Sequence, residues 1–171
     1  MKKRTIMNLA LILFSVLLLT GTSFAQEFEY EKERELAKAA FTCLQNADLE
    51  TFSSYCTTEE RFSNMLSVLD DKNPKEKGMK SELSQMGVGD FRGEAISGFK
   101  KALEQAKINN INLKEWKFPE LANYRAKFDM TNLKALKVKF KIKSYLILIN
   151  MFKTSDDIFI YDFSVINGGV I

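Results

Sequence analysis

Asp162 is the residue of this sequence with the clearest potential for acid–base chemistry. It interrupts an otherwise apolar run over residues 158–166, and burial in such a run would raise the pKa of its carboxyl group. A carboxylate of this kind, helped by a Tyr hydroxyl, could act as the general base of a small metal-free lyase or isomerase. The competing interpretation is a carboxylate on a polar strand face that accepts hydrogen bonds from Ser164 or from a neighbouring strand.

The sequence contains no histidine. Ser-His and Cys-His nucleophile systems are therefore excluded, and most zinc enzymes with them. The closely spaced glycines of residues 87–93 follow no predicted strand and lack the Lys-Ser/Thr pair of a phosphate-binding loop. We predict no metal and no cofactor, and binding rather than catalysis.

A row of lysines alternates with apolar residues over positions 136–143. Alternation of this kind is the period of a half-buried strand, so the lysines share its solvent face. They could meet an anionic ligand, a membrane surface or an acidic partner. The alternative is a solvated face whose lysines discourage edge-to-edge pairing of strands. The row consists of Lys137, Lys139, Lys141 and Lys143.

Aromatic residues of the C-terminal half could line a pocket for an apolar ligand, or they could be ordinary core residues. The pocket interpretation leaves open whether the partner is a small molecule or a protein. The residues in question are Trp116, Tyr124, Phe128, Phe140 and Tyr161.

Cys43 and Cys56 are the two cysteines. In an exported chain they could form a disulfide if their Cα atoms lie within about 7 Å. Otherwise they are buried thiols that pack as small apolar side chains. Without histidine they make a poor zinc site.

Residues 1–25 have the features of a secretory signal peptide: a basic start, an apolar segment over residues 9–19, and small residues at Ser23 and Ala25. That segment is short against the ~20 residues of a membrane-spanning helix, so we expect cleavage and no remaining anchor. The expected destination is the bacterial periplasm or the extracellular space. Cleavage removes three of the 25 basic residues, which leaves 22 against 22 acidic ones and argues against a nucleic-acid partner.

Helical spacing of apolar residues dominates the first part of the remaining chain. Asp48 is a candidate N-cap of a short helix, and residues 57–60 have the form of a capping box. Over residues 75–89, Met79, Leu83 and Met86 suggest a weak helix that three glycines bracket. The segment could be a lid or a surface excursion, and we expect the surface excursion. The two longer predicted helices cover residues 26–47 and 91–107.

Strand signals dominate the rest of the chain. The strongest is a hairpin in which one long strand, a turn and a return strand cover residues 133–152, 153–156 and 157–166 respectively. Shorter candidate strands cover residues 111–118 and 122–130. Helices followed by an antiparallel meander of about four strands predict a single α+β domain over residues 26–171, with the helices packed on one face of a curved sheet.

This order resembles the nuclear transport factor 2-like superfamily of cystatin-like α+β folds, which includes SnoaL-like and ketosteroid-isomerase-like domains. Residues 39–52 look like the family's apolar helix followed by a small residue, Asp and an aromatic, and residues 158–165 look like its last central strand. The resemblance implies a cone with a pocket between sheet and helices. Members include enzymes, binding modules and assembly domains, so a homodimer formed through the outer sheet face is a further alternative. The chain departs from the catalytic members, whose bases are Asp or His, because it has no His.

Overall fold

A computed structural model of the chain describes residues 30–120 and 122–167. The chain divides into two units, Met1–Glu31 and Lys32–Ile171, and the fold below belongs to the second. Helices precede an open four-stranded antiparallel sheet and pack against it, which confirms the predicted α+β class. The expected signal peptide lies outside the described residues.

Four helices form the first part of the fold. Asp48 caps α2 as predicted, because its carboxylate accepts a hydrogen bond from the backbone N–H of Thr51 at 2.9 Å. Thr58, one residue later than the predicted capping box, caps α3 and accepts from the N–H of Arg61 at 3.2 Å. No helix of the described residues is both long and apolar enough to cross a membrane. The helices are α1 (Glu31–Asn46), α2 (Leu49–Ser54), α3 (Glu59–Ser67) and α4 (Pro74–Ile108).

The weak helix predicted over residues 75–89 is confirmed, because α4 includes the whole segment, and the expected loop-like surface excursion is wrong. Asn73 caps this helix, and the buried Glu76 carboxylate accepts hydrogen bonds from the Asp70 N–H and the Asn73 side chain at 2.8 and 3.3 Å. Gly87, with φ 73° and ψ 166°, interrupts the helical geometry and divides α4 into two halves. The sequence signal of the glycines therefore marked a kink within a helix.

Four strands follow in the order β1-β2-β3-β4, and each pairs antiparallel with the next along the chain. The predicted return strand is confirmed as β4. The predicted single strand over residues 133–152 is wrong, because the chain reverses at Lys143, which has φ 53°, and pairs Ile142 with Tyr145. Residues 111–118 contain a short 3-10 turn, Leu113–Glu115, in place of the predicted strand. The strands are β1 (Asn123–Asp129), β2 (Lys134–Ile142), β3 (Tyr145–Lys153) and β4 (Ile158–Asn167).

A first core lies between one face of the sheet, α1 and the second half of α4. Phe52 stacks on Phe99 with ring centroids 4.2 Å apart, and both rings meet Phe163 of β4. These three rings therefore join α2, α4 and β4 in one packed cluster. Other members of this core are Phe41, Leu44, Val138, Phe140, Ile147, Ile149 and Met151.

A second core covers part of the opposite sheet face, where α3 and the region of α4 around Phe91 pack over Phe152 and Tyr161. Phe152 and Tyr161 stack with centroids 4.1 Å apart. Its remaining buried members are Phe62, Met65, Leu69, Leu83, Met130, Leu133, Ala135 and Phe159.

The edge of β4 that faces away from β3 makes backbone contacts with other parts of the fold. The Ile160 N–H donates to the Tyr55 carbonyl at 2.8 Å, and the Ile160 carbonyl accepts from the Thr57 N–H at 3.1 Å. Farther along the strand, Gly98 of α4 lies against the Phe163 carbonyl. The segment after α2 and helix α4 therefore flank this strand along its outer side.

Candidate functional site

Four polar side chains form one row across the whole sheet. Strand register places Arg125 opposite Lys137, Lys137 opposite Asn150, and Asn150 opposite Asp162. Residues that are directly opposite in a sheet project from the same face with Cβ atoms about 5 Å apart. We call these four residues the polar row.

Asp162 lies at the β4 end of the polar row and is half-buried. Its carboxylate accepts a hydrogen bond from the Nδ2 of Asn150, a side chain that is only 3 % exposed. This hydrogen bond comes from the neighbouring strand β3, as predicted by the interpretation of Asp162 as a hydrogen-bonded carboxylate on a polar strand face. The Asn150 Oδ1 is buried and has no hydrogen-bond partner among the described residues.

Two β-bulges bring Lys127 and Tyr161 together beside the polar row. The register of β1 against β2 shifts at Lys127, and that of β4 against β3 shifts at Tyr161. The Lys127 Nζ donates to the Tyr161 hydroxyl at 3.1 Å and lies 5.4 Å from the centroid of its ring. This contact across the sheet joins the two outer strands.

Burial, and after it the neighbouring charges, shift the pKa values of both residues in this contact. Burial of the ammonium group, and then the charge of Lys137, lower the pKa of Lys127, while Asp162 and Glu94 oppose the change. Burial, followed by the charges of Asp162 and Glu94, raises the pKa of the Tyr161 hydroxyl. The hydroxyl therefore stays protonated in the neutral pH range and remains a hydrogen-bond donor.

A wide groove of about 730 Å³ runs between α4 and β4 beside the polar row. On the α4 side its wall consists of small residues together with Asp90, Glu94, Lys101 and Met86, and Asp162 and Ser164 of β4 form its floor. The groove brings three carboxylates and one lysine to the β4 side of a sheet face whose β1 and β2 side is cationic. Negative charge thus predominates on one side of this face and positive charge on the other.

The predicted lysine row is only partly one surface. Lys137, Lys139 and Lys141 lie in β2 on the face of the polar row, whereas Lys143 lies in the turn between β2 and β3. Register adds Arg125 and Lys127 of β1 to this face, which sequence reasoning missed. Alternation in β1 does place 125 and 127 on one side of that strand, but it does not reveal which strand lies next to it.

The five aromatic residues predicted to line a pocket do not surround one space. Trp116, Tyr124 and Phe140 belong to the first core or pack against it, while Phe128 and Tyr161 belong with the second. The cavity beside Trp116 has a volume of about 10 Å³, which is close to the space of one water molecule. These aromatics hold two packed layers in place on opposite sides of the sheet.

Cys43 and Cys56 are buried free thiols in the structure. Burial raises the pKa of both thiols, to about 12 for Cys56. They are members of the first core, in line with the second interpretation of the sequence. Within residues 30–120 and 122–167, no cluster of three or more Cys, Asp or Glu side chains could hold a metal ion.

Comparison of the chain with protein-family models, curated proteins and solved structures gives no significant match. The resemblance to the nuclear transport factor 2-like superfamily therefore stays a prediction from the order of elements.

Proposed function

We propose that this protein is an exported, non-catalytic binding domain whose ligand is anionic. The observation that carries the proposal is the position of Arg125 directly opposite Lys137, with Lys127 beside them on the same sheet face. Lys139 and Lys141 extend the cationic surface along β2. We call these five residues the cationic face.

Like charges directly opposite each other in a sheet destabilise it. Lys137 and Lys127 repel each other in this way, since the charge of Lys137, after burial, contributes to lowering the pKa of Lys127. None of the five residues forms an ion pair with a carboxylate of the described residues, whereas Lys134 and Lys153 of neighbouring positions do. A bound anion would relieve this repulsion, and that gain favours binding.

The groove beside Asp162 supports binding more than catalysis. A general base gains most from a site that excludes water, and this groove is wide and open. The Asp162 carboxylate is also engaged by Asn150. These features favour a structural role for Asp162, as the acceptor of the Asn150 hydrogen bond within the polar row.

A binding experiment with matched charge removal tests the proposal. The triple variant Lys137→Gln, Lys139→Gln, Lys141→Gln should bind dextran sulfate, a soluble anionic polymer, about tenfold more weakly than the wild type. A control triple variant at three exposed lysines of α4, Lys77→Gln, Lys100→Gln, Lys107→Gln, removes the same charge and should bind as the wild type does. If both triple variants lose the same amount of dextran sulfate affinity, binding depends only on net charge and the proposal is contradicted.

The lyase or isomerase alternative rests on the position of Asp162 in the groove, next to the protonated Tyr161 hydroxyl. It predicts proton abstraction from carbon next to a carbonyl group. Incubation of the protein with small ketones in heavy water would reveal it as deuterium incorporation that Asp162→Asn abolishes.

The homodimer alternative is favoured by the separation of charge across the face. A two-fold axis along β3 would bring Arg125 and Lys137 of one copy to the side of the other that carries Asp90 and Glu94. Sedimentation at increasing protein concentration tests for this dimer. A mixture of Arg125→Glu, Lys137→Glu with Asp90→Lys, Glu94→Lys should then dimerise where neither variant does alone.

A further inference from the structure

Two further rows of the sheet lie between the polar row and the turn that joins β2 to β3. Register makes Lys139, Leu148 and Ser164 one row, and Lys141, Leu146 and Ile166 the next. All six side chains share the face of the polar row, because residues two apart in a strand point the same way. We call these two rows the open face.

The open face combines cations with accessible aliphatic side chains. Ile166 is 47 % exposed, and Leu146 and Leu148 are only half-buried, although strand interiors of this composition are normally covered. The second core covers the opposite end of this sheet face, around Phe152 and Phe159. An exposed aliphatic strip beside a line of lysines indicates a partner that offers both an apolar surface and negative charge.

We propose that the anionic partner is a lipid surface, and that the open face is the part of the molecule that contacts it. The inference rests on the proposed anion-binding function and names its ligand class. Lysine ammonium groups would meet anionic headgroups, while Leu146, Leu148 and Ile166 enter the boundary between headgroups and acyl chains. Lysine suits this position because its long stem lets the charge reach the headgroups from beside an apolar strip.

The arrangement of charge favours a lipid surface over the other occupants. A soluble anion gives no role to the exposed aliphatic residues. A second copy related by a two-fold axis through β3 would place Lys139 and Lys141 over Ser164 and Ile166, which carry no negative charge. Asp162 is two residues from Ser164 and so about 7 Å farther along the strand, outside both rows.

Vesicle co-sedimentation of the protein, recovered from an exporting bacterial host, tests the inference. The probes are vesicles of equal parts phosphatidylglycerol and phosphatidylcholine, vesicles of phosphatidylcholine alone, and dextran sulfate in solution. The wild type should bind the anionic vesicles and dextran sulfate but leave neutral vesicles unbound.

Two variants separate the contributions of charge and apolar contact. Leu148→Ser, Ile166→Ser should weaken binding to the anionic vesicles about tenfold and leave dextran sulfate binding unchanged. Lys139→Gln, Lys141→Gln should weaken both. Ile108→Ser is the matched control, because Ile108 is 70 % exposed at the end of α4, and it should change neither.

A labelling experiment keeps the inference testable if the double serine variant folds poorly. Ile166→Cys, carrying a polarity-sensitive dye, should brighten and shift to the blue with anionic vesicles, whereas Ile108→Cys with the same dye should not. The buried Cys43 and Cys56 would not compete for the dye in the folded protein.

Three results would overturn the inference. If the wild type binds dextran sulfate but not anionic vesicles, the proposed anion-binding function stands and the lipid surface is wrong as the ligand. If the wild type binds neither probe, both the proposed function and the lipid inference are wrong. Light scattering that shows a dimer, which Ile166→Ser dissociates, would assign the open face to a second copy of the chain.

Discussion

Gly98 of α4 lies directly against the backbone carbonyl of Phe163 in β4. A Cβ atom at position 98 would lie 1.7 Å from that oxygen and 2.8 Å from its carbon. Helix and strand backbones are therefore in contact, and only glycine allows this distance. The contact holds the second half of α4 beside the sheet and fixes one wall of the groove.

Gly98→Ala should lower the free energy of unfolding by about 1–3 kcal/mol or more, because α4 must move away from β4 to admit the methyl group. Gly93→Ala is the matched control within the same helix. Apart from its chain neighbours and the adjacent helix backbone, no atom of the described residues lies within 4 Å of a Cβ at position 93, so helix propensity should raise stability by up to about 1 kcal/mol. Urea unfolding measures both, and a Gly98→Ala protein as stable as the wild type would refute the close contact.

Glu33 of α1 is 1 % exposed and forms an ion pair with the Nζ of Lys153 in β3. Lys153→Met should destabilise the protein by about 3–5 kcal/mol, because it leaves a buried carboxylate without its partner. Adding Glu33→Gln should restore much of that loss, since an amide carries no charge to bury. A double-mutant cycle by urea unfolding gives the coupling, and additive effects of the two substitutions would contradict a functional pair.

The buried thiol of Cys56 should make the folded protein less stable in alkaline solution. Burial raises the pKa of its thiol from 9.0 to about 12, against the opposing charges of Arg92 and Arg61. The folded state thus holds this proton more tightly than the unfolded state does. The stabilisation is complete below pH 9.0 and is lost as pH rises from there towards about 12.

Urea midpoints measured from about pH 8 to about pH 11 check this dependence. The midpoint of the wild type should fall more steeply than that of Cys56→Ala, which lacks the ionising thiol but keeps the other groups that titrate in this range. Parallel curves for the two proteins would show that the Cys56 thiol contributes nothing to the pH dependence.

Features set by local sequence could be predicted. The alternation of lysine and apolar residues in β2 gave the two faces of that strand, and the Asp48 cap and the return strand β4 were found where expected. Each depends on residues within a few positions of one another. The open α+β class followed from the order of these elements.

The reversal at Lys143 could not be predicted, because the turn contains no Gly, Pro or Asn and Lys143 adopts a left-handed conformation that is rare for lysine. The first half of α4 was predicted only as a weak helix bracketed by glycines. Its glycines suggested a loop, but Asn73 and the buried Glu76 carboxylate stabilise a helical start.

The candidate site was the least predictable part. The contact of Lys127 with Tyr161 requires two bulges on strands that are not neighbours, and the polar row requires the register of all four strands. Single-strand patterns specify which way a side chain faces, but they do not specify what it will face across the sheet.

The bulge at Lys127 also bears on how this protein avoids aggregation. Of the four described strands, only β1 has a side that neither a strand nor the Tyr55–Thr57 segment and α4 occupy. Its exposed Arg125, Lys127 and Asp129, together with the bulge, present a charged and irregular border to any incoming chain. Growth of the sheet into fibrils is therefore opposed on both sides.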